Sequence, residues 1–79
     1  MPEFSKRALR DIDELPEALQ IKARSLIGQL DSQPHLGKKL LGALAGKRSL
    51  RLGRTHRIIY RSEPSVFIIA VTPRKDAYR

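Results

Sequence analysis

Midway along the chain the hydrophobic period changes, and that change restricts the fold more than any other feature. Up to Gly46 apolar residues recur three and four apart; after it they alternate. A period of 3.6 cannot sit still as a strand, nor a period of two as a helix. The first half must therefore be helical and the second a sheet. Ala8, Leu9, Ile12 and Leu15 mark a first helix, with Ser5 placed to N-cap it and Phe4 to staple onto Leu9. Pro16 and Glu17 suit the first turn of a second helix. Its stripe is Leu19, Ala23, Leu26, Ile27 and Leu30, and Gln33-Pro34 ends it.

Residues 35–46, with three glycines and scattered leucines, read as a leucine-anchored loop with room for one helical turn. Strand character follows. "KRSLRLG" sets Leu50 and Leu52 against Ser49 and Arg51. "THRIIYR" sets His56, Ile58 and Tyr60 against Arg57, Ile59 and Arg61. Glu63-Pro64-Ser65 makes a turn, and residues 66–71, apolar on both faces, read as a central strand. The expectation is one α+β domain over residues 1–79: an N-terminal helical hairpin packed on a small, mostly antiparallel four-stranded sheet. A very short additional strand at residues 1–4 is an option. Leu9, Ile12, Leu19, Ala23, Leu26 and Ile27 should face Leu50, Leu52, Ile58 and alternate residues of 66–71.

Composition narrows the function. With 79 residues and no cysteine, no disulfide or thiolate zinc site can staple the fold. Two histidines without an accompanying cluster of carboxylates or thiols make no metal site, and no cofactor motif is present. The longest apolar run is six residues, far below the ~18 needed to span a bilayer, and no targeting segment precedes it. A soluble, cytoplasmic protein with no membrane partner is expected. Charge is unevenly placed: residues 1–46 hold seven Lys/Arg and six Asp/Glu, residues 47–79 nine and two. The second half therefore carries nearly all of the net charge of +8, a field suited to a polyanion.

The segment "LGALAGKRSLRLGRTHRIIYR", an apolar strand and then "RKDAYR" together resemble the RelE/ParE superfamily, the small toxins of bacterial and archaeal toxin–antitoxin pairs. The pattern is a leucine-glycine loop, a Ser-Leu-Arg-Val-Gly strand, a Tyr-Arg-Ile-Ile-Tyr strand and a C-terminal basic pair followed by Asp-Val-Tyr-Arg. The likeness runs along nearly the whole chain. It implies a metal-independent endoribonuclease that cleaves messenger RNA in the A site of the 70S ribosome and is silenced by an acidic, RelB-like antitoxin. ParE-type members share the fold but act on DNA gyrase without nuclease activity. A catalytically weak corepressor that binds antitoxin and DNA is a third possibility.

RNA cleavage by a neighbouring 2′-hydroxyl requires a base, charge stabilisation at the phosphate and an acid for the leaving oxygen. Arginine is suited to the phosphate because its planar fork donates two parallel hydrogen bonds. By the resemblance, Arg57 matches the arginine of the Tyr-Arg strand, Arg74 the C-terminal arginine, Arg51 a basic position on the preceding strand, and Tyr78 the C-terminal tyrosine. These four are the catalytic candidates. Lys47, Arg48, Arg54, Arg61, Lys75 and Arg79 read as guides for an RNA backbone. Two departures stand out. Where the best-known RelE pattern has two lysines, this chain has Ser49 and Arg51, neither suited to act as a base. His56 replaces a tyrosine; its imidazole is the best acid–base group in the chain, although a packing role fits a strand histidine equally well.

Overall fold

In the computed structural model, residues 2–73 are described. The elements run β1 (Glu3–Phe4), α1 (Lys6–Asp13), α2 (Glu17–Gln29), β2 (Lys38–Lys39), β3 (Arg48–Leu52), β4 (His56–Arg61) and β5 (Phe67–Pro73), with a 3₁₀ turn at Gly42–Leu44. The α+β architecture is the expected one. The sheet, however, has five strands rather than four, in the order β1-β5-β4-β3-β2. β1 pairs with β5 in parallel and every other pair is antiparallel. The added strands are two residues each, too short to leave an alternation that a sequence reading can detect.

Ser5 begins α1 as expected: its Oγ accepts from the Ala8 N–H at 2.9 Å. The same hydroxyl donates to the Ile69 carbonyl at 2.6 Å, tying the helix start to β5. At the other end of α1, Gln20 Nε2 donates to the carbonyls of Ile12 and Asp13, at 3.0 and 3.1 Å. The Ile12 carbonyl also accepts from the Leu15 N–H at 3.1 Å; among the terminal carbonyls of the helix these two bind a residue of α2, which caps α1 and fixes the hairpin. α2 ends at Gln29, earlier than Gln33-Pro34 suggests.

The helices cover one face of the sheet. Ala8, Ile12, Leu15, Ala23, Ile27 and Leu30 pack with Leu52, Ile58, Tyr60, Val66, Ile68 and Val71, flanked by half-buried Phe4, Leu19, Leu26 and Leu50. Leu9 does not join them. It is 52% exposed, because the helix face that meets the sheet is centred on Ala8 and Ile12. On the opposite face, the loop before β3 folds back to form a second, smaller cluster of Leu40 and Ile59 with Leu44 and Ile69. Of the loop leucines Leu40 is buried and Leu44 half-buried, whereas Leu36 and Leu41 are exposed.

β4, not β5, is the middle strand. β5 is nonetheless an interior strand, buried or half-buried from Phe67 to Thr72, since β1 covers Phe67 and Ile68 and α1 covers the rest of that edge. There the Val71 N–H donates to Asp11 Oδ2 at 2.9 Å. A register shift at Ile59/Tyr60 keeps Tyr60 opposite Ile68 and Arg61 opposite Phe67. Tyr60, which alternation places on the face of Ile58, is fully buried.

Candidate functional site

Strand pairing sorts the cations onto two faces. Arg51 lies directly opposite Arg57, and Arg57 directly opposite Thr72. Directly paired residues share a face, so Arg51, Arg57 and Thr72 form one row across β3, β4 and β5. Arg57 alternates with Ile58, whose side chain meets the helices, so the row lies on the face without helices. Like charges set opposite one another in a sheet destabilise it; a row with two arginines side by side is costly to the fold and suited to an anion. Arg51 is exposed and Arg57 half-buried.

Two hydroxyls accompany the row: Ser49, noted above only as a departure from the related pattern, and Thr72, which no sequence motif marks. Ser49 Oγ and Thr72 Oγ1 are buried with no hydrogen-bond partner among the described residues. Ser49 precedes Arg51 by two positions and so projects from the same face. Arg54 is exposed in the turn that joins β3 to β4, where Gly53 has a left-handed φ of +63°. That turn adjoins the Arg51–Arg57 row, so Arg54 adds charge at the same end of the sheet.

The remaining candidates lie elsewhere. Arg61 is four residues from Arg57, about 13 Å along the strand, and its guanidinium stacks on Phe67 at 5.1 Å from the ring centroid. Arg48 pairs opposite Tyr60 on the helix side, and its Nη1 donates to the Gly37 carbonyl at 3.0 Å. It ties down a loop. Lys47 lines a cavity of about 240 Å³ with His35, Lys39, Gly46, Arg48, Ser62 and Glu63, at the end of the sheet remote from the row. Arg74, Lys75, Tyr78 and Arg79 lie outside the described residues.

His56 is on the wrong face to work with the arginine row. It pairs with Leu52 and Pro73 and lines a cavity of about 180 Å³ with Asp11, Glu14, Leu15, Val71 and Pro73. Its Nδ1 lies 2.7 Å from Thr55 Oγ1. The strand alternation that sets Arg57 on the helix-free face sets its neighbour His56 against α1. No group of three or more metal-ligating side chains occurs among the described residues, and no helix among them is long and apolar enough to cross a membrane.

The family of the ParE toxin of type II toxin–antitoxin systems, parDE, matches residues 3–78. The chain belongs to that family. Solved toxins of the wider RelE/ParE superfamily have the same fold. A chain of the toxin–antitoxin complex RelBE2 from Mycobacterium tuberculosis is 33% identical, with a TM-score of 0.82 over 94% of this chain and 96% of that one. The YoeB–YefM complex from Staphylococcus aureus gives 22% identity and a TM-score of 0.77, covering 91% and 93% of the two chains. The intact RelBE toxin–antitoxin complex of E. coli gives 19% and 0.75, covering 90% and 92%. At such identities the latter two establish the fold alone. No curated protein sequence matches the chain. This protein is therefore a toxin of a type II toxin–antitoxin system with a RelE-like fold, as its strand motifs imply.

Proposed function

We propose that this toxin is an endoribonuclease of RelE type, cleaving messenger RNA in the ribosomal A site without a metal. The observation that carries this reading is the direct cross-strand pairing of Arg51 with Arg57 on the helix-free face. In the reaction, the 2′-oxygen bonds to phosphorus and the phosphorus–5′-oxygen bond breaks, leaving a 2′,3′-cyclic phosphate. A base takes the 2′-hydroxyl proton and an acid protonates the departing oxygen. The phosphorane between these steps gathers negative charge, and two fixed guanidinium groups stabilise it most where charge accumulates. Arg74 and Tyr78 join the site through the sequence resemblance, Arg74 at the phosphate and Tyr78 as a stacking or proton-transfer group. Lys75 and Arg79, with Arg54, guide the RNA backbone.

The partner that silences the site is an acidic antitoxin. The cationic second half of the chain supports this, as does the capture of the RelBE2 and YoeB–YefM relatives as toxin–antitoxin complexes.

A second reading is inhibition of DNA gyrase without nuclease chemistry. It is favoured by the placement of His56 against α1 and by Ser49 and Arg51 in the positions of lysines. Primer extension on messenger undergoing translation separates the two. New 3′ ends that vanish with Arg57→Ala support the nuclease. Intact messenger together with loss of gyrase supercoiling overturns it.

A further inference from the structure

Thr72 faces Arg57 across the β4–β5 pair, and Arg57 faces Arg51. Thr72 is 6% exposed and Ser49 3%, yet neither hydroxyl has a hydrogen-bond partner among the described residues. A buried hydroxyl left without a partner costs stability. Packing alone would be better served by valine at position 72 and alanine at position 49, which fill nearly the same space. Two such hydroxyls on one face, on either side of Arg57, mark a place organised for something other than the fold.

We infer that the Thr72 hydroxyl, directly across from Arg57, forms the floor of the phosphodiester site and donates a hydrogen bond to a non-bridging phosphate oxygen, with Ser49 on the other side of Arg57, diagonal to it on β3. The inference rests on the ribonuclease reading and deepens it by adding a residue that contacts the phosphate. Guanidinium groups only donate, and a phosphodiester offers more lone pairs than two of them fill. Arg51 is exposed and Arg57 half-buried, so they form the outer layer, with the hydroxyls at the sheet surface beneath. Thr72 flanks Arg57 on the side away from Arg51, so an oxygen held by the Arg57 guanidinium lies within reach of the Thr72 hydroxyl. A neutral donor at that depth adds direction without adding a third cation to a row that already repels itself. In this chain, which has Ser49 where the related pattern carries a lysine, hydroxyl donors take over part of the anion contact.

Single-turnover cleavage of ribosome-bound messenger by the full chain tests this, with Thr72→Val, Thr72→Ser and Ser49→Ala beside the wild type. Thr72→Val should slow the maximal rate by roughly 10- to 100-fold, the loss of one hydrogen bond to a charged group. Half-saturation should rise by less than the rate falls, and the melting temperature should hold or rise because the orphaned hydroxyl is gone. Thr72→Ser should recover most of the rate. Wild-type cleavage by Thr72→Val overturns the inference, as does equal loss in the Ser and Val variants or a loss that follows a fall in melting temperature. A wild type that does not cleave defeats the ribonuclease reading instead. Binding of a short 2′-O-methyl RNA then decides the site: weaker binding by Thr72→Val sustains it, and equal binding removes it.

Discussion

The Tyr60 hydroxyl accepts a hydrogen bond from the Gly37 N–H at 2.8 Å and donates one to the Pro34 carbonyl at 2.9 Å. A residue at the middle of the sheet thereby holds the loop that leads into β2. Close approach is part of the arrangement: a Cβ on Gly37 would lie 2.8 Å from the Tyr60 ring and 3.0 Å from the Ser49 carbonyl. Tyr60→Phe should cost about 1–3 kcal/mol, the penalty of stranding a buried donor. Gly37→Ala should cost a similar amount through overpacking, about 1–3 kcal/mol. Urea unfolding of both variants checks this, and an unchanged midpoint for either would contradict the contact.

Arg57 and Arg61 share a strand and differ in what surrounds them. Arg57→Ala should lower messenger cleavage by about 10²–10³, the cost of one transition-state donor. It should also leave the fold close to intact, since a like-charged neighbour is removed along with the contacts of Arg57. Arg61→Ala loses a stacking partner of Phe67, so it should lower the melting temperature slightly with little effect on cleavage. Parallel rate and melting measurements distinguish the two patterns. Arg74→Ala, by the sequence resemblance, should behave as Arg57→Ala does.

Salt dependence should separate the guides from the braces. Each phosphate contact on single-stranded RNA contributes about 0.7 to the slope of log affinity against log salt. Arg54→Ala, in the turn beside the row, should flatten the slope by about that amount. Arg48→Ala should leave the slope nearly unchanged and reduce stability, because its guanidinium is committed to the Gly37 carbonyl. Titrations of RNA binding at several salt concentrations read both effects.

At the junction of α1 with β5, Ser5→Ala removes an N-cap and a bond to Ile69 together. A lost cap costs about 0.5–2 kcal/mol, and the stranded Ile69 carbonyl should bring the variant to the upper part of that range. Asp11→Ala strands the Val71 N–H and should destabilise by about 1–3 kcal/mol. Denaturant midpoints measure both, and the double variant should lose less than the sum if α1 detaches as a unit.

The change of hydrophobic period made the two halves of the fold legible, and alternation put Arg51 and Arg57 on one face correctly. What stayed hidden depends on contacts distant in sequence. β1 and β2 are two residues each and exist only because β5 and β3 offer open edges. The exposure of Leu9 follows from how α1 lies on the sheet, which helical spacing alone leaves free. Thr72 looked like the end of an apolar strand. Only the β4–β5 register, with its shift at Ile59/Tyr60, sets it opposite Arg57.

The parallel pairing of Glu3 and Phe4 with Phe67 and Ile68 has a kinetic meaning. Closing that pair requires nearly the entire chain to be in place, and such long closures are entropically slow. The strand they recruit also carries Thr72 and completes the arginine row. The row itself needs only the β3–β4 and β4–β5 hairpins, so the closure of β1 on β5 is the late step that locks the strand carrying Thr72 in place.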